Sequence, residues 1–216
     1  MSENGDRPEL PEGWEWSTLG DLCDKPQYGY TTKAAPDGTV QFLRTTDISK
    51  GSLNWDTVPY CAEEPKDVEK YRVKAGDILI ARSGSVGLNW LLEGRVPDAV
   101  FASYLIRFRP KPGGIEPRFL RAFLQSPMYW SAIADRATGI GMTNVNAKKL
   151  ATIPVPVPPL EEQQQIVSSV EGYLGSIAAA DEFADFALEH GEDLRRAILH
   201  RAFSDSHGEV KSSEVV

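Results

Sequence analysis

Apolar residues follow two different spacings along the chain, and each spacing predicts a different kind of element. Between residues 39 and 108 they fall in short continuous or alternating runs bounded by Gly, Asp and Pro, which is typical of strands. The runs are TVQFLRTTDI, GDILIAR, LNWLLEG and AVFASYLIRF. The spacing then becomes helical, with four residues on one face: Phe119, Leu120, Phe123 and Leu124. Strands and helices in an irregular order, without a βαβ repeat, predict an α+β fold with a mixed sheet.

Proline and polar residues mark where the shorter helices begin and end. Pro127 is expected to end the first helix and to open a second, SPMYWSAIADR, with Ser126 as its N-cap. A polar loop, ATGIGMTNVN, follows this second helix. Asn146 is then expected to cap a short helical turn, AKKL.

The stretch from residue 153 reads IPVPVPPLEEQQQIV and places closely spaced prolines directly before a helix-forming sequence. Proline fixes φ at about −65° and keeps the preceding residue extended, so residues 153–159 are expected to form a polyproline-like segment or an edge strand. Glu161 and Glu162 suit a first helical turn, because carboxylates complement the positive end of the helix dipole. The pattern predicts a stiff exit from one body into another.

No proline interrupts residues 160–202, where apolar or small residues recur in alternating steps of four and three. This heptad seam consists of Ile166, Val170, Tyr173, Ile177, Ala180, Ala184, Ala187, Leu194 and Ile198, and it is imperfect at Gly191. A helix of about 43 residues is about 65 Å long, too long to bury the whole stripe against a domain of this size. The helix either folds back on its own domain or pairs with a helix from a second copy or another protein, and we favour a partner helix.

These patterns divide the chain into a globular domain at residues 1–159, a long helix at 160–203 and a tail at 204–216 that we expect to be disordered. The N-terminal MSENGDRPEL is polar and acidic, and the chain has no run of about 18 apolar residues. We therefore expect no signal peptide, no membrane association and a cytoplasmic location.

The net charge of −8 is unevenly distributed along the 216 residues. Residues 21–150 hold eighteen basic and fourteen acidic residues, whereas residues 151–216 hold four basic and twelve acidic ones. A DNA duplex attracts Lys and Arg that lie together on one face, so the middle region is compatible with DNA binding although the whole chain is acidic. A mixed surface without a nucleic-acid partner is the alternative.

Residues with common catalytic chemistry are scarce in the globular part. His190, His200 and His207 all lie in the C-terminal part, which leaves the basic region without a histidine for a general base or a metal ligand. Cys23 and Cys61 are too few for a disulfide scaffold and lack a metal-ligand partner at useful spacing. The SGSVG and GIGMTN loops each miss a glycine of the nucleophile-elbow and dinucleotide motifs. We therefore expect no catalytic centre, no metal and no cofactor.

Hydrogen-bonding side chains cluster on the loops of the basic region. The candidates for DNA contact are Tyr28, Tyr30, Thr31, Thr32, Lys33, Arg44, Thr45, Thr46, Asp47, Arg82, Ser83, Ser85, Thr143, Asn144 and Lys148. Arg and Lys can read guanine edges, Asn reads adenine, Asp accepts from cytosine, and Ser or Thr with Lys holds phosphate. We assign Lys33, Arg44 and Thr46 to bases and Arg82, Ser83, Ser85 and Lys148 to phosphates. Surface turns without DNA contact are the alternative for each residue.

Three stretches of the chain form a set: LPEGWEWSTLGDL at residues 10–22, GDILIARSGSVG at 76–87, and ATGIGMTNVNAKKLATIPVPVPPLEEQQQIV at 137–167. Together they resemble the recurrent segments of type I restriction-modification specificity subunits. The last stretch is the most specific, because the proline segment followed by PPLEEQ and a long helix marks that family's join between target recognition domain and helix.

The resemblance implies a non-catalytic DNA-reading subunit. Each target recognition domain of the family contacts one half of a split DNA site. The helices pair as an antiparallel coiled coil that sets the distance between the halves and carries the methyltransferase subunits. The chain departs from the common form in having one recognition domain and one helix in place of two, so it resembles a half-subunit that pairs with a second copy or a second half-subunit.

The resemblance also limits which partners and cofactors are expected. Double-stranded DNA, a methyltransferase subunit and possible association with a restriction subunit follow from it, and S-adenosylmethionine and ATP would belong to those partners. The alternative is a coiled-coil decoy or regulator that occupies the methyltransferase without reading DNA. A hydrolase with an unrecognised site is a third interpretation, disfavoured by the lack of histidine in the globular part.

Overall fold

The computed structural model describes residues 8–137 and 144–205, with side chains as far as residue 201. The chain divides into two compact units between Val167 and Ser168. The described part of the first unit mixes short strands and helices, and the second unit holds most of one long helix. The predicted α+β class with a long C-terminal helix is therefore confirmed. In the described part of the chain, every helix is too short or too polar to cross a membrane.

The elements follow one another in an irregular order along the chain. Among the described residues the strands are β1 (Glu15–Thr18), β2 (Gln27–Tyr28), β3 (Ala34–Ala35), β4 (Gln41–Leu43), β5 (Tyr60–Cys61), β6 (Ile78–Ala81), β7 (Asn89–Leu91), β8 (Ala99–Phe101), β9 (Leu105–Phe108) and β10 (Pro154–Val157). The helices are α1 (Leu19–Leu22), α2 (Thr45–Ile48), α3 (Val68–Tyr71), α4 (Pro117–Phe123), α5 (Pro127–Arg136), α6 (Ala147–Ala151) and α7 (Leu160–Asp205), with a 3-10 helix at Trp55–Thr57.

Two four-stranded sheets form the centre of the first unit. One sheet has the antiparallel order β2-β9-β6-β7, and the other has the order β3-β5-β4-β8 with β4 and β8 parallel. The central strand β6 reads ILIA and is buried on both faces. Leu79 and Ala81 pack in a cluster with residues of β4 and β8, whereas Ile78 and Ile80 pack in a cluster with residues of α4, α5 and α6. This double burial explains why the strand is continuously apolar.

Two of the predicted strand runs are interrupted in the structure. In TVQFLRTTDI only β4 is extended, and TTDI forms the helical turn α2. The turn closes because the Arg44 amide donates to the Asp47 carboxylate at 2.7 Å, a local bond that an apolar pattern does not report. AVFASYLIRF is divided between β8 and β9, which belong to different sheets, by a turn in which the Leu105 amide donates to the Ala102 carbonyl at 2.9 Å.

The predicted helix caps are confirmed. The Ser126 hydroxyl accepts from the Tyr129 amide at 3.3 Å at the start of α5, and Pro127 occupies the first turn. The Asn146 side chain accepts from the Lys149 amide at 2.9 Å at the start of α6. Each cap satisfies an amide that has no partner within its own helix, which is why the sequence signal is local and reliable.

The proline segment forms an edge strand, one of its two predicted forms. Strand β10 pairs antiparallel with β1, with Pro156 opposite Trp16 and Pro154 opposite Thr18. The two-residue spacing of these prolines suits a strand paired on one side, because alternate residues direct their missing N–H groups away from the partner strand. Val155 between them is fully buried.

The beginning of α7 is held within the first unit by a buried glutamine. The Gln163 side-chain amide donates to the Pro158 carbonyl at 2.9 Å, and its oxygen accepts from the Glu116 amide at 2.8 Å. The Trp14 indole donates to the Glu162 carboxylate at 3.1 Å. The globular domain was predicted to end at residue 159, but the compact unit extends to Val167 because the first two turns of α7 pack on it.

The long helix begins at Leu160, as the pattern indicated, and ends at Asp205, two residues beyond the predicted end at residue 203. The absence of proline between Leu160 and Asp205 allows the helix to run without a break. Residues 206–216, which the sequence analysis assigns to a disordered tail, lie outside the described residues.

Candidate nucleic-acid interface

Two of the predicted loop groups line one pocket of about 320 Å³, which we call the tyrosine pocket. Its lining consists of Tyr30, Thr31, Thr32, Ala34, Phe42, Arg44, Thr45, Thr46, Ala102, Ser103 and Tyr104. The Tyr30 amide donates to the Phe101 carbonyl at 2.7 Å, and the Ser103 amide donates to the Tyr30 carbonyl at 2.9 Å. These bonds join segments that are more than 70 residues apart in the sequence.

The close approach of these segments depends on Gly29. A Cβ atom at this position would lie 2.2 Å from the Ala102 carbonyl oxygen and 2.4 Å from the Phe101 carbonyl oxygen, so any other residue would collide with backbone. The glycine therefore allows the loop after β2 to lie directly against the end of β8. Tyr30 is also held by its ring contact with Tyr71, at a centroid distance of 5.3 Å.

Arg44 and Asp47 form an ion pair at the tyrosine pocket. The Asp47 carboxylate accepts from Arg44 Nη2 at 2.7 Å and from Nε at 3.1 Å, and the hydrogen bond with Asp47 raises the pKa of Arg44. The Asp47 side chain is only 8% exposed, whereas that of Arg44 is 38% exposed. Asp47 was predicted to accept a hydrogen bond from cytosine. In the structure its carboxylate already accepts hydrogen bonds from Arg44.

A second concave surface lies around Tyr28 and Lys148, and we call it the lysine groove. It has a volume of about 490 Å³ and is lined by Lys25, Pro26, Gln27, Tyr28, Lys70, Ala147, Lys148 and Ala151. The Tyr28 hydroxyl accepts from the Ala147 amide at 2.9 Å, which attaches the start of α6 to β2. Lys25 and Lys70 were missed by sequence reasoning, because neither belongs to a motif and only the fold brings them beside Lys148.

Arg82 links the two concave surfaces. Its guanidinium lies over the Tyr28 ring at 5.1 Å, and its amide donates to the Tyr104 carbonyl at 2.8 Å. Its carbonyl accepts from the Val145 amide at 2.9 Å, and Ser83 forms a β-bridge with Asn144. The predicted residues at 28, 82, 83, 144 and 148 are thus connected, while Thr143 lies outside the described residues.

The loop at residues 83–87 is held in place by buried hydrogen bonds to the carbonyl of its last residue. The Gly87 carbonyl accepts from the Tyr129 hydroxyl at 2.7 Å and from the Asn89 amide group at 3.1 Å. Burial raises the pKa of Tyr129, so its hydroxyl stays protonated and remains a donor. Gly87 has φ of 87° and would place a Cβ against the Trp130 ring. The loop therefore presents exposed Ser85 on a rigid turn.

The remaining predicted loop residues are exposed or at the pocket edge. Lys33 and Thr31 are exposed, and the Thr32 hydroxyl accepts from the Glu63 amide at 3.2 Å. Sequence reasoning missed Ser103 and Tyr104, which lie in the turn between β8 and β9. Tyr104 is 62% exposed, but this exposure is known only from the structure, so the sequence offered no signal for it.

The predicted heptad seam divides at the boundary of the two units. Ile166 is partly buried in the first unit, whereas the described side chains at residues 168–201 are all exposed. Sequence reasoning missed further exposed apolar residues on α7, namely Leu174, Phe183, Phe186, Leu188 and Leu199. Phe186 and His190 contact each other with ring centroids 3.8 Å apart. The apolar surface of the helix is therefore broader than the seam.

Two observations concern acid–base and metal chemistry in the described part of the chain. No group of three or more His, Cys, Asp or Glu side chains is arranged there to hold a metal ion. Burial raises the pKa of Cys23 to about 12 and that of Cys61 to about 11, so both thiols stay protonated at neutral pH. The arrangement offers hydrogen bonds, aromatic faces and positive charge.

Comparison with known proteins identifies a family for this set of features. A family model described as the type I restriction modification DNA specificity domain matches residues 11–179. The chain is 28% identical over 216 aligned residues to a Methanocaldococcus jannaschii protein assigned as the specificity subunit of type I restriction enzyme MjaX, covering 96% of this chain and 50% of that protein. It is 24% identical over 200 residues to the EcoBI specificity subunit of Escherichia coli, covering 90% of this chain and 42% of that protein.

A solved structure shares the fold. The crystal structure of the HsdS subunit from Thermoanaerobacter tengcongensis has a TM-score of 0.60 at 24% identity, covering 82% of this chain and 41% of that chain. This likeness concerns the fold alone. The chain spans about half the length of the relatives it matches.

Proposed function

The chain belongs to the family of the type I restriction-modification DNA specificity domain, and from this premise we propose that it reads one half of a split DNA site without catalysing a reaction. The resemblance stated from its sequence motifs agrees with the family match. The remaining questions are which surface contacts DNA, what pairs with α7 and how the two are coupled.

One observation carries the proposal for DNA binding: the tyrosine pocket and the lysine groove are linked through Arg82. Lys25, Lys70 and Lys148 line one concave surface, and positive charge gathered in this way attracts the phosphate backbone. The neighbouring pocket carries hydroxyls and aromatic rings, which suit contacts to bases and sugars. Phosphate contacts at the groove would fix the register in which the pocket residues meet the bases.

Within this interface we propose separate roles for the two surfaces. Lys33, Arg44 and Thr46 contact bases, and Arg44 does so only by exchanging its hydrogen bonds with Asp47 for bonds to a base edge. Such an exchange favours a ligand that offers two acceptors to the guanidinium, as guanine does. Arg82, Ser83, Ser85 and Lys148 contact phosphates, and Lys25 and Lys70 join them.

For α7 we propose an antiparallel pair formed by two copies of the chain. The exposed residues of the seam, among them Ile177, Leu194 and Ile198, support a partner helix, because pairing removes their apolar surface from water. A two-fold axis across the pair would present two identical recognition units. The recognised DNA would then be an inverted repeat with a fixed gap.

The join at residues 154–167 is proposed to transmit the helix direction to the DNA-reading surface. Pairing of β10 with β1 and the buried hydrogen bonds of Gln163 support a stiff join. Replacement of Pro154, Pro156, Pro158 and Pro159 by Gly or Ser should broaden the range of gap lengths that are bound. Affinities for sites with gaps one base pair shorter and longer measure this effect, and unchanged discrimination would count against it.

The partners of the complex follow from the family. We propose that a methyltransferase subunit binds the paired helices, and that a restriction subunit can join the assembly. These partners would bind S-adenosylmethionine and ATP and would carry out the catalytic reactions of the complex.

The function is tested by mapping methylated bases genome-wide with and without the gene, followed by gel shifts of the chain with its methyltransferase subunit on the mapped site. A split palindromic motif and a sequence-dependent shift are expected. An asymmetric motif would indicate that the partner is a different half-subunit and not a second copy of this chain. Association with the methyltransferase without any sequence-dependent shift would instead indicate a coiled-coil decoy.

A further inference from the structure

We propose that the tyrosine pocket binds one unstacked nucleobase of the DNA, an inference that rests on the proposed function. The pocket is a recess, not a flat surface, and its volume of about 320 Å³ lies near the lower end of the roughly 300–1,000 Å³ found for ligand sites. Such a recess suits a single ring system. A base stacked within a duplex cannot enter it, so the base must leave the stack.

Aromatic side chains supply the surfaces on which a base can stack. The Tyr30 ring contacts the Tyr71 ring at a centroid distance of 5.3 Å, and Phe42, a buried residue, also lines the pocket. Tyr104 lies on the adjoining turn and is mostly exposed, so its ring is available to an incoming base. Base–aromatic stacking is tolerant of sequence because every base has a π-face.

One residue of the pocket lining also carries an unsatisfied hydroxyl. In the described part of the chain, Thr45 Oγ is buried and has no hydrogen-bond partner. Unpaired buried hydroxyls are costly and uncommon, so this one calls for a partner. Rotation about the Cα–Cβ bond of Thr45 can offer the hydroxyl to the polar edge of a base. Thr46 and Ser103 belong to the same lining, and their hydroxyls are of the kind that bonds to a sugar or a base edge.

The inference is tested with two DNA probes of the same sequence. One is a fully paired duplex containing 2-aminopurine, and the other carries the 2-aminopurine as a one-nucleotide bulge. We expect the full-length chain to bind the bulged duplex about tenfold more tightly, with 2-aminopurine fluorescence falling on binding, because the unpaired base avoids the cost of unstacking.

Variants of the pocket distinguish stacking from general DNA affinity. Tyr104→Ala should reduce the preference for the bulge to less than about twofold by weakening binding to the bulged duplex, and Tyr104→Phe should keep the preference because the ring remains. Thr45→Val should lower the preference and Thr45→Ser should retain it. Since Tyr104 is exposed, its variants are not expected to affect folding.

Equal affinity for the two probes would overturn the inference and leave the proposed function intact. Failure to bind either duplex at low salt, with the methyltransferase subunit present as well as without it, would overturn both. As a third arm, tight binding of free 2-aminopurine riboside without preference for the bulge would assign the pocket to a small molecule and would also overturn the inference.

Discussion

The two units treat polar and apolar residues in opposite ways. In the first unit the polar residues Asp77 and Asn89 are buried, and both form hydrogen bonds with other groups of that unit. In the second unit the apolar residues Ile177 and Phe183 are more than half exposed. Buried polar groups need partners within the fold, and large apolar groups gain from leaving water. The buried polar groups of the first unit therefore find their hydrogen-bond partners within that unit. The exposed apolar groups of the second unit would gain stability from contact with another protein surface.

The same contrast separates the two kinds of function proposed for the chain. In the first unit the packed core and the buried hydrogen bonds of Gly87, Asn89 and Tyr129 hold the loops that would contact DNA. In the second unit the helix backbone satisfies its own hydrogen bonds, and the side chains remain available for assembly. Variants in either unit can test this difference.

The largest effect is expected from Asp77, because its carboxylate accepts from Arg109 Nε at 2.6 Å, from Nη2 at 2.8 Å and from the Lys74 amide at 3.0 Å. Asp77→Ala should lower the free energy of unfolding by about 3 kcal/mol, since it leaves a partly buried guanidinium unpaired. Urea denaturation measures the change. Glu69→Ala, which removes an exposed partner of Arg72, is the control and should cost less than about 1 kcal/mol. Equal effects would contradict the account.

The next effect concerns self-association through α7. If two copies pair as proposed, Ile177→Asp should raise the dimer dissociation constant about a hundredfold, because a carboxylate replaces an exposed apolar side chain of the proposed pairing surface in both copies. Sedimentation velocity over a concentration series measures it. Ala179→Asp adds the same charge two residues away, where it does not share the face of Ile177, and should leave association nearly unchanged. A wild-type chain that stays monomeric at high concentration would refute pairing by a second copy.

A smaller effect is expected at the lysine groove. Lys148→Ala should weaken binding to all DNA sequences alike. It should also reduce the slope of log affinity against log salt concentration by about one unit, because one phosphate contact is lost. Fluorescence anisotropy at several salt concentrations measures the slope. Lys66→Ala, at an exposed lysine outside the groove, is the matched control. A loss confined to one base position would show that Lys148 reads a base.

The smallest effect on stability is expected from the thiols, which serve as reporters of the first unit. Because burial raises the pKa of Cys23 to about 12 and that of Cys61 to about 11, the native chain should react slowly with thiol reagents at pH 8. The unfolded state loses these protons first, so their contribution to stability is present below the ordinary thiol pKa of 9.0 and is lost as pH rises through the folded values. Rapid labelling that precedes global unfolding would indicate local opening.

The sequence predicted the features that depend on neighbouring residues. The caps at Ser126 and Asn146, the edge strand around Pro156 and the start of α7 at Leu160 all follow from local hydrogen bonding or from the fixed φ of proline. The strand expected across TVQFLRTTDI failed in its second half. There, a side-chain bond from Asp47 to the Arg44 amide closed a turn that hydrophobic spacing could not report.

The candidate interface was predicted only in part. The loop residues Tyr30 and Arg44 were identified by their chemistry, and the structure brings them to one pocket. Tyr104, Lys25 and Lys70 were not identified, because each is unremarkable among its sequence neighbours. Only the fold places them on the same surfaces as the predicted residues.

By itself the sequence determined the α+β class, the family through its motifs, and the apolar seam of α7, because these depend on spacing and residue type along a short stretch of chain. Only the tertiary structure decided that Lys25, Lys70 and Lys148 share a groove, that Arg82 lies over Tyr28, and that Gln163 holds the first turn of α7. These arrangements bring together residues up to 123 positions apart in the chain, such as Lys25 and Lys148, which line the same groove. Long-range contacts of this kind arise from the packing of the whole unit, which no local pattern encodes.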